Sequence, residues 1–389
     1  VSEVQDHLNV GLAMAMSRRW DEAVREFEAA ALAGPGDAEV FLQLGRARHA
    51  LGQAPKAEAA LLRCCDLDPE RGEAFALLGA VQAKLGRPGE AEEALQKALR
   101  LLPASTLALN ALGDLELARG ALEEAARHFT ASLQAEAGQA ETAFKLGFAL
   151  ENLGRLEDAV ARYQLARQLT PGLLPVSLAL AGALERLKRH ADAAEVLEAA
   201  VALRPNDQDL NLRLARLKAA AGEEEQARGA LQQVLAAQPD NPEATARLAW
   251  LSADKGDTAE AERLLKVAAA GLPSGPSKDL AEGWLHQLGG RIEEALRCYA
   301  GVTAVEADNV RAWELMAGLL YRRSELKAAL EAYEKLAVLK PDSVDAQIRL
   351  GSLHLKLGRR DLAQAAWEAA LRLEPGNTIV RKNLAVLKG

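Results

Sequence analysis

Side chains able to do covalent or metal chemistry are sparse in this sequence. Its 389 residues hold three cysteines, Cys64, Cys65 and Cys298, and six dispersed histidines. A nucleophile needs a base beside it, and a metal needs three or four converging ligands. Neither pattern occurs at short range. There is no C-x-x-C pair, no H-E-x-x-H, no G-x-S-x-G, no G-x-x-x-x-G-K-[ST], no G-x-G-x-x-G and no EF-hand loop. Cys64 and Cys65 are expected to be structural thiols, and His286 and His354 to fill core or turn places. Most Asp and Glu are expected on solvated outer helix faces. The sequence therefore predicts no enzyme, no cofactor and no metal site, and leaves recognition by aromatic and charged groups as the available chemistry.

Composition agrees with a chain that folds in water. Hydrophobic residues make up 49% and charged residues 26%, which fits neither a disordered chain nor a membrane protein. No run of 18 apolar residues is present, so direct membrane insertion is not expected. Forty-seven basic against 55 acidic residues give a net charge of -8, which argues against nucleic acid as a general partner. Acid dominates early: residues 1–173 carry 18 basic and 25 acidic groups (-7), and residues 174–389 carry 29 and 30 (-1). An odd cysteine count speaks against a disulfide framework, so a cytoplasmic location is expected. A chain opening on Val1 reads as a processed product or an excerpt, and removal of an upstream signal would make it periplasmic.

The elements that must position any recognition groups follow from self-similarity. Shifted by 34, the sequence aligns with itself without a gap, and residues 4–377 are 374 residues, or 11 times 34. The repeats begin at Val4, Ala38, Gly72, Thr106, Ala140, Leu174, Gln208, Pro242, Pro276, Val310 and Val344. Apolar residues fall at helical spacing in two stretches per repeat, which predicts two antiparallel helices. Place eight is always Gly or Ala, and place twenty is Ala in all eleven repeats, from Ala23 to Ala363. Small side chains at fixed places let helix axes approach closely. The inter-helix turn carries Gly at 52, 86, 120, 154, 222, 256, 290 and 358, where a left-handed residue ends a helix cheaply. Pro closes nine repeats, and Ala137 and Ala307 stand in its place in the other two, which predicts less sharply stopped junctions there.

This pattern, L-G-x-x-Y followed by Ala, a large residue four places on and then Pro, resembles the tetratricopeptide repeat. Phe75 to Pro103 and Trp313 to Pro341 match it nearly throughout, and the resemblance covers 374 of 389 residues. The expected fold is an all-α, right-handed α-solenoid of eleven helix-turn-helix repeats forming one domain. Ser2 with Gln5 reads as a capping box, and residues 378–389, N-capped by Asn377, read as a C-terminal capping helix or half of a twelfth repeat. The stretch 271–278 (GLPSGPSK) reads as a hinge at which the ninth repeat's first helix starts late.

The resemblance implies a concave wall built from first helices at places two, five, six, nine, twelve and thirteen. Large aromatics at those places are Phe144, Phe148, Trp250, Trp284 and Tyr321, natural anchors for a bound segment if exposed. Beside them stand Arg213, Arg216, Arg247, Arg322 and Arg349, with Lys356, able to grip carboxylates or phosphates. The wall's first half is acidic instead, with Glu39, Glu73, Asp114, Glu141 and Glu151 against Arg46, Lys84 and Lys145. Packing between helices is the competing role for each aromatic, and ion pairing along the wall for each arginine.

Two specialised branches of the family are not matched. No three consecutive repeats supply the Lys, Asn and Arg set of the chaperone-binding type, and the Asn ladder of the O-GlcNAc transferase type is absent at place six. The function implied is a non-enzymatic scaffold that binds extended or helical protein segments within a multi-protein assembly. Alternatives from other classes are the substrate-recruiting arm of a larger enzyme, such as a glycosyltransferase or kinase, and a bacterial envelope assembly factor for pili or exopolysaccharide export. Arg exceeds Lys by 32 to 15, which is consistent with a high-GC bacterial genome.

Overall fold

The computed structural model describes residues 3–388, and every regular element among them is an α-helix. The helices divide into two compact blocks, residues 1–205 and 206–389. The N-terminal block holds α1 (Glu3–Met16), α2 (Trp20–Ala33), α3 (Ala38–Ala50), α4 (Ala54–Leu67), α5 (Gly72–Lys84) and α6 (Pro88–Leu101). It continues through α7 (Thr106–Arg119), α8 (Leu122–Ala135), α9 (Ala140–Asn152), α10 (Leu156–Leu169), α11 (Leu174–Arg186) and α12 (His190–Leu203). The C-terminal block holds α13 (Gln208–Ala220), α14 (Glu224–Ala237), α15 (Pro242–Asp254), α16 (Thr258–Gly271), α17 (Pro276–Leu288) and α18 (Ile292–Val305). It ends with α19 (Val310–Arg322), α20 (Leu326–Leu339), α21 (Val344–Lys356), α22 (Arg360–Leu373) and α23 (Thr378–Lys388). Each block is an α-solenoid of stacked helix pairs, odd-numbered first helices alternating with even-numbered second helices. Ser2 lies outside the described residues.

A helix pair of this size buries too little apolar surface to stand alone, so the stack is fixed by a few invariant contacts. The eleven alanines at place twenty are all fully buried, at 0% exposure. Place eight faces the large residue at place twenty-four of the partner helix. A Cβ built on Gly147 would lie 2.6 Å from the Tyr163 ring, and one on Gly45 would lie 2.7 Å from Leu61. Place eight is Ala in four repeats: Ala181, Ala215 and Ala249 face Leu197, Leu231 and Leu265, and Ala317 faces Tyr333. A ring is most often met by glycine, but the tenth repeat packs Ala317 and Tyr333 in one core. A branched aliphatic side chain can turn aside.

The turns obey one backbone rule. The eight turn glycines have φ of 72° to 84°. In the three repeats without one, Arg18, Lys188 and Ser324 take the same left-handed conformation at φ 58° to 61°. Six first helices start on a side-chain cap, from Asp37, Ser105, Asp207, Asn241, Asn309 and Ser343. Asn377 accepts from the Val380 amide at 3.0 Å to open α23, whose Val380 and Leu384 pack on Ala363, Trp367 and Ala370.

Two expectations about junctions are corrected. The repeats lacking a closing proline stop at the same place as the others, α8 at Ala135 and α18 at Val305. Side chains replace the ring. The Gln139 amide donates to Glu136 O at 2.8 Å and Ser132 O at 3.0 Å, and its oxygen accepts from Asn110 at 2.7 Å and Thr142 at 3.1 Å. At the other junction the Trp313 indole donates to Ala307 O at 3.0 Å. The ninth repeat's first helix does not start late either: α17 begins at Pro276, 34 residues after α15 begins at Pro242, and both have 13 residues.

Candidate partner-binding faces

The first helices of the N-terminal block carry the acidic side chains, and each acid is engaged. Glu39 pairs with Arg71 at 2.5 Å, Glu73 with Arg46 at 3.0 Å and Glu151 with Arg186 at 3.1 Å. Lys145 reaches both Asp114 and Glu141 at 2.8 Å. Burial works against the charge on Lys145, but its hydrogen bonds to those two carboxylates outweigh it and raise its affinity for the proton. For Glu39, burial is again the largest influence and opposes ionisation; the bonds from Gln43 and Arg71 overcome it and depress the pKa. The acidic wall is thus a ladder of ion pairs between successive first helices. Exposed pairs of this kind contribute about 0–1 kcal/mol each. Phe144 is half-buried against Tyr163, with ring centroids 5.6 Å apart. Phe148, 48% exposed, is the accessible aromatic of this face.

In the C-terminal block the expected aromatic and basic groups divide into distinct surroundings. Tyr321 on α19 lies edge-on to Tyr333, with Arg349 and Lys356 against its ring at 5.0 and 4.7 Å. Arg349 also pairs with Asp345 at 3.3 Å. Arg322 is exposed and has no ion pair among the described residues. On α13, Arg213 is half-buried and Arg216 exposed, both engaged by neighbouring groups. Arg247 pairs with Glu243 on its own helix at 2.7 Å.

Trp250 and Trp284 do not share a role. Trp250 on α15 is half-buried, while Trp284 on α17 is 7% exposed and meets it edge-on with centroids 5.9 Å apart. The expectation that Trp284 stands out as an exposed anchor is corrected: it is packed inside. The cause is α17 as a whole. In the other first helices of this block, places three and seven are apolar; on α17 they are Lys278 and Glu282, and both are half-exposed. Its wall places are inside instead, with Leu280 7%, Ala281 0% and Trp284 7% exposed. Its contacts with α18 are nevertheless the ordinary ones: a Cβ on Gly283 would lie 2.7 Å from the Tyr299 ring, and the Tyr299 hydroxyl bonds to Gln287 at 3.1 Å.

A recess opens in this face. A cavity of about 490 Å³ lies between α13, α15, α17 and α19, with Trp250, Leu251, Leu272 and Leu280 among its lining and Arg216, Arg247 and Arg311 around it. Across it Arg311 donates from both terminal nitrogens to Asp254 at 2.6 and 2.5 Å, joining repeats eight and ten directly. The same guanidinium lies 5.4 Å from the Trp250 ring centroid. Arg311 and Asp254 occupy places two and thirteen, both wall places, so the same rule that found Trp250 contained the signal for them.

Among the described residues no three His, Cys, Asp or Glu side chains gather as a metal-ligand set. Burial pushes the Cys64 thiol up to about 11 and the Cys65 thiol up to about 12, away from reactive thiolates. No helix among the described residues is long and apolar enough to cross a membrane.

The chain belongs to the tetratricopeptide repeat family. One family model of that description matches residues 12–72, 76–141, 110–173, 144–208, 280–344 and 348–387, and a second matches 184–251 and 220–276. The chain is 34% identical over 99 residues to a Hsp70-Hsp90 organizing protein of wheat, Triticum aestivum, which covers 25% of this chain and 17% of that relative. It is similar to the structure of yeast Tom70 at 16% identity and a TM-score of 0.43, covering 98% of this chain and 94% of that one. It is also similar to the P58(IPK) TPR domain at 16% identity and a TM-score of 0.37, covering 100% and 98%.

Proposed function

We propose that the protein is a non-enzymatic scaffold that binds extended or helical segments of partner proteins along its first-helix faces. One contrast carries the reading: the places that shape the stack are monotonous, whereas the first-helix faces vary from repeat to repeat and hold the exposed Phe148 and the cavity beside Trp250. Variation confined to one face, with an aromatic in a recess, is what selective protein recognition requires. A matched relative whose name describes the organising of two other proteins is consistent with it. The test is affinity capture with the intact chain beside Trp250→Ala and Phe148→Ala variants, followed by mass spectrometry of what is retained. The expected result is a defined set of proteins that one or both variants lose while circular dichroism stays unchanged. Identical capture by all three chains would refute the reading.

A further inference from the structure

Resting on that reading, we infer that the first-helix face of α19, α21 and α23 takes a partner segment in which acidic side chains alternate with bulky apolar ones. The acidic half of this requirement comes from an imbalance of charge. These three helices carry two carboxylates, Glu314 and Asp345, and each is already held, by Lys340 at 3.2 Å and by Arg349 at 3.3 Å. Arg322 on α19, Lys356 on α21 and Lys382 on α23 are exposed and have no ion pair among the described residues. Arg349 and Lys356 reach from α21 to the Tyr321 ring on α19, at 5.0 and 4.7 Å, so the cations of the two helices share one side. Like charges gathered where every acid of the same helices is engaged attract a further carboxylate.

The apolar half comes from what stands among these cations. Leu355, next to Lys356, is 41% exposed, and on α23 Ile379 and Val386 are 62% and 77% exposed while Val380 and Leu384 pack against Trp367. Ile379, Lys382 and Val386 follow at intervals of three and four residues and so share one face of the helix. This mixture favours a protein segment over other anions. A phosphate backbone offers nothing to the exposed aliphatic side chains, and a helix that lies on a lipid surface keeps its charges apart from its apolar face. Here Lys382 stands between Ile379 and Val386. Arg322 and Lys356 occupy place thirteen of successive repeats, about 10 Å apart at the usual helix spacing. An extended chain covers that distance in about three residues, which sets the interval between the acids that meet them.

The test is selection of a random dodecapeptide library displayed on phage, in parallel against the full chain and against a triple variant with Arg322→Gln, Lys356→Gln and Lys382→Gln. Fluorescence anisotropy then follows labelled copies of the peptides that the native chain alone enriches. These are expected to carry Asp or Glu about three residues apart with Leu, Ile, Val or Phe between them. The triple variant should weaken them about tenfold or more, and raising NaCl from 50 to 500 mM should weaken them about as much. Ile379→Ser with Val386→Ser should weaken them severalfold, and Lys335→Gln, which removes an exposed cation from the second helix α20, should not change them. All the substituted side chains are exposed, and the salt titration needs no variant, so the test stands even if the triple variant disturbs folding. Enrichment of basic or purely apolar peptides, or of the same peptides by both chains, would overturn the assignment of this face alone. Tighter binding to phosphatidylserine vesicles or to a single-stranded oligonucleotide than to the best peptide would do the same. Failure of the full chain to enrich any peptide would overturn it together with the scaffold reading.

Discussion

Trp284→Ala and Trp250→Ala should separate stability from recognition. Trp284 is 7% exposed in a core shared with Ala249, Leu265 and Ala268 of the preceding repeat. A tryptophan buries up to about 250 Å², which at about 25 cal/mol per Å² corresponds to roughly 6 kcal/mol. The alanine that replaces it keeps part of that, and truncations of buried Trp cost about 3–5 kcal/mol. Because each repeat touches only its neighbours, the loss should stay local and appear as opening of α17 with the facing parts of α15 and α16. At about 1.4 kcal/mol per decade, 4 kcal/mol accelerates amide exchange there about a thousandfold. Trp250 is half-buried, so its removal should accelerate exchange far less, on the order of tenfold. Hydrogen exchange resolved by peptide mass spectrometry reads both, with α21 and α22 as internal references. Equal exchange in the two variants, with Trp284→Ala the one that loses partner capture, would refute the division of roles.

Other consequences can be checked separately. Gly147→Ala should destabilise the fifth repeat by about 1–3 kcal/mol, because a Cβ at 2.6 Å forces the Tyr163 ring out of its packed position. Gly45→Ala opposite Leu61 should be nearly neutral in urea unfolding, as the native Ala181 and Leu197 pairing implies. Gln139→Ala should cost about 2–3 kcal/mol and raise exchange at the end of α8 and the start of α9, since it leaves Ser132 and Asn110 without their shared partner. Alkylation of Cys64, with its pKa raised to about 11, should climb about tenfold per pH unit from pH 7 to 10 without a plateau. A plateau near pH 8.5 would show an ordinary exposed thiol. The hinge at 271–278 predicts faster exchange there than at the other junctions; uniform protection would dismiss it.

The legibility of this fold follows from where its constraints are local. Helix starts, left-handed turns and small-residue contacts each depend on one or two residue types at fixed spacing, so a period of 34 exposes them all at once. Substitutes for a missing type are harder to see. Nothing about Gln139 taken singly marks it as the replacement for a closing proline, because its effect lies in four groups drawn from α7, α8 and the start of α9. The face carrying Glu39, Glu73 and Asp114 reads as acidic for a similar reason. Residue types are visible in the sequence, but each acid is matched by a cation whose reach across stacked helices decides the pairing.

The ninth repeat shows a different limit. Assigning wall and core by place number assumes that every repeat stacks on the one before it in the same way. Lys278 and Glu282 at two places that are apolar in the other C-terminal repeats violate that assumption in plain view. A charged pair at core places is costly to bury, since desolvating each ion takes several kcal/mol, and both side chains stay half-exposed. Trp284 is inside and the cavity lies beside Trp250, while α17 keeps the ordinary contacts with α18 through Gly283 and Gln287. Lys278→Ala with Glu282→Leu should bury more apolar surface at these two places and raise the urea midpoint of unfolding, while Trp284 fluorescence stays blue-shifted. A double variant less stable than the native chain would show that the charged pair is itself part of the packing.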